Sequence, residues 1–151
     1  MFINYSVIFE ELLKGIDYDN TQNIFNIVSK DKEQYLREFM TIKISGPRQT
    51  GRTSFLLSLV NKGEALFFTD SFLVYFINTE SECKEEFCDR VLTIDDFFTK
   101  GKLEQYKEKG IKYICIDNKE NLFNTVSPGS IPWIYRRIFD TFGMNIVIIE
   151  T

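Results

Sequence analysis

The sequence predicts an α/β fold: a mostly parallel sheet flanked by helices, arranged as a three-layer sandwich. Two observations support this class. Apolar runs of strand length alternate along the chain with longer segments whose apolar residues recur at helical spacing. One such run, Thr41–Ser45, passes through a glycine-bounded loop into an apolar helical segment that reaches Leu59. Strands that alternate with helices in this way favour a parallel sheet that is covered on both faces.

The chain has 151 residues, a length that predicts a single domain. Within it, residues 1–40 form a helical N-terminal segment and residues 41–151 form the α/β core. The spacing of apolar residues predicts a first helix over Tyr5–Lys14 and a second over residues 22–39. The polar patch Ser29–Gln34 is a candidate break within the second helix. We expect these helices to pack against the core or to form an interaction surface.

Four further elements are predicted between the glycine loop and residue 110. Ser71–Asn78 is almost continuously apolar, which is typical of a strand buried on both faces. Thr79–Arg90 is acidic with helical spacing, and Asp95–Lys109 has the pattern of an amphipathic helix. The remaining predicted elements are strands at Val91–Ile94, Ile111–Asp117 and Asn145–Glu150, and a helix from Ser130 to Gly143.

The loop after the first predicted strand has the spacing of a phosphate-binding P-loop. Gly46, Gly51 and Thr53 match the fixed positions of G-x-x-x-x-G-K-[ST], but Arg52 stands in place of the lysine. Glycines let successive N–H groups point into one concavity, and the helix that follows adds its positive end. An ordinary glycine turn with a solvated arginine is the alternative. The predicted ligands are ATP and Mg²⁺, and the predicted nucleotide-binding residues are Gly46, Pro47, Arg48, Gln49, Thr50, Gly51, Arg52, Thr53 and Ser54.

A magnesium site is predicted from Asp117 and Thr53. Asp117 ends an apolar run about sixty residues after the loop, which is the pattern of a Walker B acid that holds Mg²⁺ through water. The Thr53 hydroxyl is the other expected ligand. The alternative for Asp117 is an ordinary turn residue at the end of a strand.

Hydrolysis also requires a group that orients the attacking water, and three glutamates are candidates. Asn118 occupies the position after Asp117 where many ATPases carry glutamate. Glu80 is the first choice, because it follows the predicted strand Ser71–Asn78 and strand ends of a parallel sheet face its ligands. An acid in the first turn of a helix is the alternative for Glu80. Glu120 and Glu150 are the other candidates.

The segment Pro47–Thr53 resembles the P-loop of the large-terminase ATPase domains of viral DNA-packaging motors. Similar G-P-R-Q-x-G-K-T loops occur in some AAA-type ATPases. The order of elements over roughly residues 35–151 is also similar to that of the terminases, which belong to the additional-strand class of P-loop NTPases. The resemblance implies these roles: Arg48 senses the γ-phosphate, Arg52 takes the place of the lysine, Thr53 and Asp117 hold Mg²⁺, and Thr151 begins a coupling segment.

Three departures from this family bear on function. Arg52 replaces lysine, Asn118 replaces glutamate, and the sequence stops where the coupling motif would begin. We therefore expect an ATP-binding protein, a weak ATPase associated with a DNA-processing or viral packaging or replication machine. The alternative is an inactive pseudo-ATPase that acts as a protein-interaction module. A nucleotide kinase is a third alternative, disfavoured because no arginine-rich segment follows the Asp117 strand apart from Arg136 and Arg137.

Composition limits the partners. The net charge of −4 argues against a broad electrostatic attraction to nucleic acid, so any DNA contact would have to be local, with Trp133, Arg136 and Arg137 as the candidate cluster. The alternative, which this spacing favours, is a core tryptophan with two arginines that are solvated or contact a neighbouring subunit. A protein partner or a second copy of the chain is the other expectation. Three cysteines, an odd number, do not form a disulfide framework and favour a cytoplasmic setting. No apolar stretch has the length of a membrane span.

Overall fold

The computed structural model describes residues 2–47, 50–80 and 82–151. Across these residues five strands form one parallel sheet in the order β1-β5-β4-β2-β3. The predicted α/β class with a helix-flanked parallel sheet is therefore confirmed. The strands are β1 (Thr41–Lys43), β2 (Ala65–Phe68), β3 (Val91–Leu92), β4 (Tyr113–Ile116) and β5 (Val147–Glu150).

Seven α-helices lie in the described part of the chain. They are α1 (Tyr5–Leu13), α2 (Thr21–Ile27), α3 (Lys32–Phe39), α4 (Arg52–Asn61), α5 (Ser71–Thr79), α6 (Lys119–Phe123) and α7 (Ile131–Phe142). The crossover from β1 through α4 runs toward β2, and the crossover from β4 through α7 runs in the opposite direction, toward β5. Because such crossovers are right-handed, α4 and α7 cover opposite faces of the sheet. Helix α1 packs against α4, and α3 packs against α7.

The N-terminal helices follow their local sequence signals. The Asn4 side chain accepts a hydrogen bond from the Val7 N–H and so caps α1, and Asp31 caps α3 in the same way through Gln34. The second predicted helix is divided in two at the expected polar patch, where Ser29 and Lys30 have positive φ angles of 57° and 61°. A residue with positive φ cannot continue a right-handed helix, so the chain turns there.

The prediction of a strand at Ser71–Asn78 is wrong. This segment is helix α5, and the second strand is the shorter run Ala65–Phe68, which sequence patterning missed. Asp70 starts the helix, since its side chain accepts a hydrogen bond from the Leu73 N–H. Helix α5 is apolar on almost every side and leaves Phe72 76% exposed. The interior of this segment, residues 72–77, has no polar residue and therefore no period that distinguishes a buried strand from a helix.

The two helices predicted over Thr79–Arg90 and Asp95–Lys109 are also wrong. In their place the chain forms short 3₁₀ turns at Glu85–Arg90, Ile94–Phe97 and Glu104–Tyr106. A capping box between Thr93 and Asp96 starts the second turn. Gly101 then has a φ of 78°, which interrupts any longer helix.

The core lies between the sheet and its two helical layers. All four residues of β2 are fully buried, as are Ile114, Cys115 and Ile116 of β4. Phe68 stacks on Phe97 with ring centroids 3.9 Å apart, which anchors the Ile94–Phe97 turn to the sheet. Among the residues described, no helix combines the length and apolar character needed to cross a bilayer.

Replacing Phe67 by alanine should lower the free energy of unfolding by about 3–5 kcal/mol, because a fully buried ring is removed from β2. The matched change Phe72→Ala on α5 should alter it by no more than about 0.5 kcal/mol, because that ring is largely exposed. Urea unfolding followed by circular dichroism measures both values. A larger loss of unfolding free energy for Phe72→Ala than for Phe67→Ala would indicate that residues 71–78, and not Ala65–Phe68, form the buried strand.

Candidate functional site

The predicted loop connects the carboxyl end of β1 to the first turn of α4. Gly51 is the residue before the helix and has a φ of 90°, a conformation that favours glycine. No described side chain caps this helix start. Within the described part of the chain, no side chain therefore competes with an anion for the first, positively polarised N–H groups of α4. Arg48 and Gln49, two of the predicted binding residues, lie outside the described residues.

Arg52 lies across the loop. Its Nη1 donates a hydrogen bond to the backbone carbonyl of Gly46 at 3.2 Å, so the side chain joins the first glycine of the loop to the first turn of α4. Thr53 is half-buried in the same turn, and Ser54 beside it is exposed. The chain thus places a fixed cation and two hydroxyl groups around the start of the helix.

The N-terminal segment packs directly on this loop, which the sequence pattern did not predict. The Ile3 N–H donates to the Thr50 carbonyl at 3.1 Å, and the Tyr5 and Thr50 hydroxyls share a hydrogen bond. A Cβ placed on Gly46 would lie 2.3 Å from the Tyr5 hydroxyl oxygen, and one on Gly51 would lie 2.7 Å from the Phe2 ring. Both glycines are therefore needed for packing, and Gly51 is needed for its positive φ as well.

Thr50 contributes to this packing through its side chain. It is buried, and its hydroxyl donates to the Pro47 carbonyl at 2.8 Å in addition to its contact with Tyr5. Any contact between Thr50 and a bound anion would therefore come from its backbone. No spacing rule in the sequence could have assigned these partners, because Tyr5 and Thr50 are 45 positions apart.

Asp117 is held at the carboxyl edge of the sheet by hydroxyl groups from two neighbouring strands. Its Oδ2 accepts a hydrogen bond from Thr69, just after β2, at 3.2 Å, and its Oδ1 accepts one from Thr151, just after β5, at 3.0 Å. Asp117 itself follows β4 and is only 7% exposed. Each carboxylate oxygen retains a lone pair, so the group can still accept from a water or bind a cation.

The residues around Asp117 fix the strand ends relative to one another. Asn118 has a φ of 51°, and its N–H donates to the Thr151 hydroxyl at 2.9 Å. The Lys119 N–H donates to the Thr151 carbonyl at 3.0 Å. In the described part of the chain no group of three or more His, Cys, Asp or Glu side chains could hold a metal ion. A magnesium ion here would therefore depend on Thr53, Asp117, water and phosphate oxygens together.

Glu80 lies far from the loop. It follows the last residue of α5, and the nearby Glu82 carbonyl accepts a hydrogen bond from Asn61, the last residue of α4, at 3.4 Å. Helix α4 begins beside the loop and has ten residues, so its two ends are about 15 Å apart. The prediction that Glu80 orients the attacking water depends on its following a strand, whereas in the structure Glu80 follows helix α5.

Glu150, the last residue of β5, is a buried carboxylate that already has partners. The Tyr135 hydroxyl donates to its Oε1 at 2.8 Å, and Lys119 Nζ lies 3.0 Å from the same oxygen. Burial raises the pKa of Tyr135, and the negative charge of Glu150 raises it further. Because its charge is neutralised by Lys119, Glu150 serves to join α6 and α7 to β5.

Glu120 is the candidate that faces open space. It is exposed in the first turn of α6 and lines a groove of about 410 Å³ together with Lys119, Glu33 and Arg37. Arg37 is paired with Glu33 at 2.9 Å, and this hydrogen bond raises the pKa of the guanidinium. Its carbon Cζ also lies 5.5 Å from the centre of the Tyr135 ring.

Two of the three side chains in the aromatic–basic cluster, which is the candidate for DNA contact, already have partners within the fold. Trp133 stacks on Phe98 with ring centroids 5.2 Å apart. Arg137 donates to the Thr99 carbonyl and to Glu104, both at 3.0 Å. Of the two arginines, Arg136 is the exposed one. Any DNA contact in this region would therefore depend on Arg136 and on the exposed part of the Trp133 ring.

No protein-family model, curated protein or solved structure matches this chain. A functional assignment must therefore come from the chain's own geometry. The structure brings the loop, Thr53 and the Asp117 edge to the same end of the sheet, because the carboxyl ends of parallel strands lie together.

Replacing Tyr135 by phenylalanine should lower the free energy of unfolding by about 1.5–3 kcal/mol, the range for a hydrogen bond to a charged group. Tyr106→Phe is the matched control. That hydroxyl donates at 2.7 Å to the neutral Asp89 carbonyl, so the expected loss is about 0.5–1.5 kcal/mol. Urea unfolding at pH 7 compares the two variants.

Removing the Tyr135 hydroxyl should also change how stability depends on pH in alkaline solution, relative to the wild type. The folded-state pKa of Tyr135 is raised, so its contribution to stability is complete below the unfolded pKa of about 10 and is lost as pH rises above it. Tyr135→Phe should therefore flatten the decline in stability above about pH 10. An equal decline in the wild type and the Tyr135→Phe variant would contradict the proposed environment of this hydroxyl.

Proposed function

We propose that the protein binds a nucleoside triphosphate, with ATP as the first candidate, together with Mg²⁺ at the loop between β1 and α4. The observation that carries this proposal is the start of α4, which no described side chain caps, after a glycine with positive φ and at the same sheet edge as Asp117. An uncapped helix start attracts phosphate through its N–H groups. A buried carboxylate held by two hydroxyls supplies the negative charge that a cation requires.

Each group at the site would have its own role in binding. The N–H groups around Gly51 and in the first turn of α4 would bind phosphate oxygens. Thr53 and Asp117 would hold Mg²⁺, Asp117 through water. Thr69 and Thr151 keep the Asp117 carboxylate in one orientation. The metal, when bound, would neutralise the negative charge of the phosphates.

The sheet order supports a relationship to the additional-strand class. Strand β5 lies between β1, which carries the loop, and β4, which carries Asp117. One strand is thus inserted between the two halves of the site. The finer assignment, to a DNA-processing or viral packaging or replication machine, rests on the likeness of Pro47–Thr53 to terminase loops.

The site favours binding over rapid turnover. Glu150 is neutralised by Lys119, and Glu80 lies at the opposite end of α4. Glu120 is the remaining candidate to orient water, and it is an exposed residue on a groove. We therefore propose a weak ATPase, with a nucleotide-gated interaction module as the second candidate function.

Mg²⁺–ATP binding measured by calorimetry tests the proposal directly. The wild type should bind, whereas Thr53→Ala and Asp117→Asn should lose at least tenfold in affinity with Mg²⁺ present, because the first removes a hydroxyl ligand and the second removes the negative charge that holds the hydrated metal. Asp95→Asn is the matched control, since Asp95 is an exposed carboxylate at the same sheet edge. Its affinity should equal that of the wild type.

Three results would distinguish the possibilities. Binding that is equally strong in Asp117→Asn would remove Asp117 from the metal site. Failure of the wild type to bind either ATP or GTP would remove the proposed function. Phosphate release in the same samples, with and without DNA, separates the weak ATPase from the interaction module.

Arg52→Lys should increase phosphate release severalfold if the protein is a weak ATPase. Lysine is a compact cation that can reach the phosphates as a point charge, whereas the Arg52 guanidinium is planar and bonded to the Gly46 carbonyl. Arg136→Lys, at an exposed position, is the control and should leave the rate unchanged. Unchanged release in Arg52→Lys, with binding intact, would favour the interaction module.

A further inference from the structure

Two cysteine thiols lie side by side at the end of the sheet remote from the loop. Cys83 Sγ and Cys88 Sγ are 2.9 Å apart, and Cys88 Sγ also lies 3.3 Å from the Cys83 carbonyl oxygen. The two sulfur atoms of a disulfide are about 2.05 Å apart, so an approach of about 0.9 Å would bring them to bonding distance. The third cysteine, Cys115, is fully buried in β4.

The segment that carries the pair, residues 82–90, is fastened to the corner between α4 and β2. The Lys84 N–H donates to the Asn61 side chain at 2.8 Å, and Arg90 donates to the Gly63 carbonyl at 2.8 Å. The Phe87 ring lies beside Gly63, where an added Cβ would be 3.0 Å away. These contacts hold both ends of the segment, so the two thiols are kept together by the fold.

We propose that Cys83 and Cys88 form a reversible dithiol–disulfide pair that reacts with small-molecule disulfides. This modification site is independent of the nucleotide proposal, because it lies at the opposite end of α4. Disulfides in reducing compartments are typically transient and redox-sensing, and such a pair suits that role.

The reaction balances as two thiol–disulfide exchanges. The Cys88 thiolate, after its proton passes to solvent, attacks one sulfur of the small disulfide R–S–S–R, forming a Cys88–S–S–R bond and releasing one thiolate RS⁻. Cys83 then loses its proton and attacks the Cys88 sulfur, forming the Cys83–Cys88 bond and releasing the second RS⁻. The two cysteines are oxidised by two electrons, and the small disulfide is reduced to two thiols.

The order of attack follows from exposure. Cys88 is half-buried, whereas Cys83 is only 5% exposed. Burial, together with the neighbouring Cys88 thiol, raises the pKa of Cys83 to about 12, so Cys83 is protonated at neutral pH. An external disulfide therefore meets Cys88 first, and Cys83 acts as the resolving thiol.

The surrounding charge selects the reagent. Four acidic residues and two basic residues lie in the segment, and the acidic ones are exposed: Glu82, Glu85, Glu86 and Asp89. Cationic disulfides such as cystamine should therefore approach faster than anionic ones such as oxidised glutathione. The difference should shrink as salt screens the charges.

The test is to treat the folded protein with cystamine, quench it in acid, alkylate it under denaturing conditions and digest it with trypsin. Cleavage after Lys84 separates the two cysteines into the peptides 63–84 and 85–90, and Cys115 falls in the peptide 113–119. The expected product is the first two peptides joined by a disulfide. The intact protein should be lighter than the reduced protein by about 2 Da, the mass of two hydrogens. Dithiothreitol should reverse the change.

Two variants make the result specific. Cys115→Ser should still give the joined peptides, whereas Cys88→Ser should leave Cys83 unmodified in the folded state. Circular dichroism checks that both variants are folded. Recovery of all three cysteines as free thiols in the wild type, or of Cys88 carrying half of cystamine with Cys83 free, would overturn the proposal.

Discussion

The carboxylate of Asp117 is the point at which three strands of the sheet are joined. It follows β4, and it accepts hydrogen bonds from Thr69 after β2 and from Thr151 after β5. Burying a carboxylate costs free energy unless hydrogen bonds satisfy its oxygens. The hydrogen bonds from the two hydroxyl groups therefore allow Asp117 to be buried at this edge of the sheet. The strand ends are fixed by the same bonds that orient the candidate metal ligand. Stability and the proposed function would therefore depend on the same group.

The neighbouring carboxylate, Glu150, lies at a strand end that is typical of ligand-binding groups, but its contacts are structural. It ends β5, between the loop strand and the Asp117 strand, where a parallel sheet would present a group to its ligand. Its charge is instead balanced by Lys119 and bonded by Tyr135, which joins two helices to the sheet. A carboxylate that is bonded to groups on two helices holds those helices in place. The same contacts make it a poor candidate to orient a water molecule. This distribution of roles between Asp117 and Glu150 is the physical basis for expecting binding without fast turnover.

The sequence allowed the fold class and the strand–loop–helix unit to be predicted, because both depend on local signals. Alternating apolar runs and glycine spacing are readable over a few residues. Helix α5 could not be recognised, since it is apolar on nearly every side and its Phe72, Tyr75 and Phe76 side chains are exposed. Only its capping residue, Asp70, gave a helical signal. Because residues 71–79 form a helix, Glu80 follows a helix and not a strand. The leading catalytic candidate therefore loses the position on which its prediction depended.

The partners of the loop were beyond prediction for a different reason: they come from distant parts of the chain. Phe2 and Tyr5 pack against Gly51 and Gly46, and each glycine lacks the room for a Cβ. The glycine spacing therefore has a structural cause that would exist without any phosphate. Glycine spacing alone cannot distinguish a nucleotide site from a packed turn. The distinction depends on features that the packing of the loop itself does not require: the start of α4, which no described side chain caps, and the hydroxyl-bound Asp117 at the same edge of the sheet.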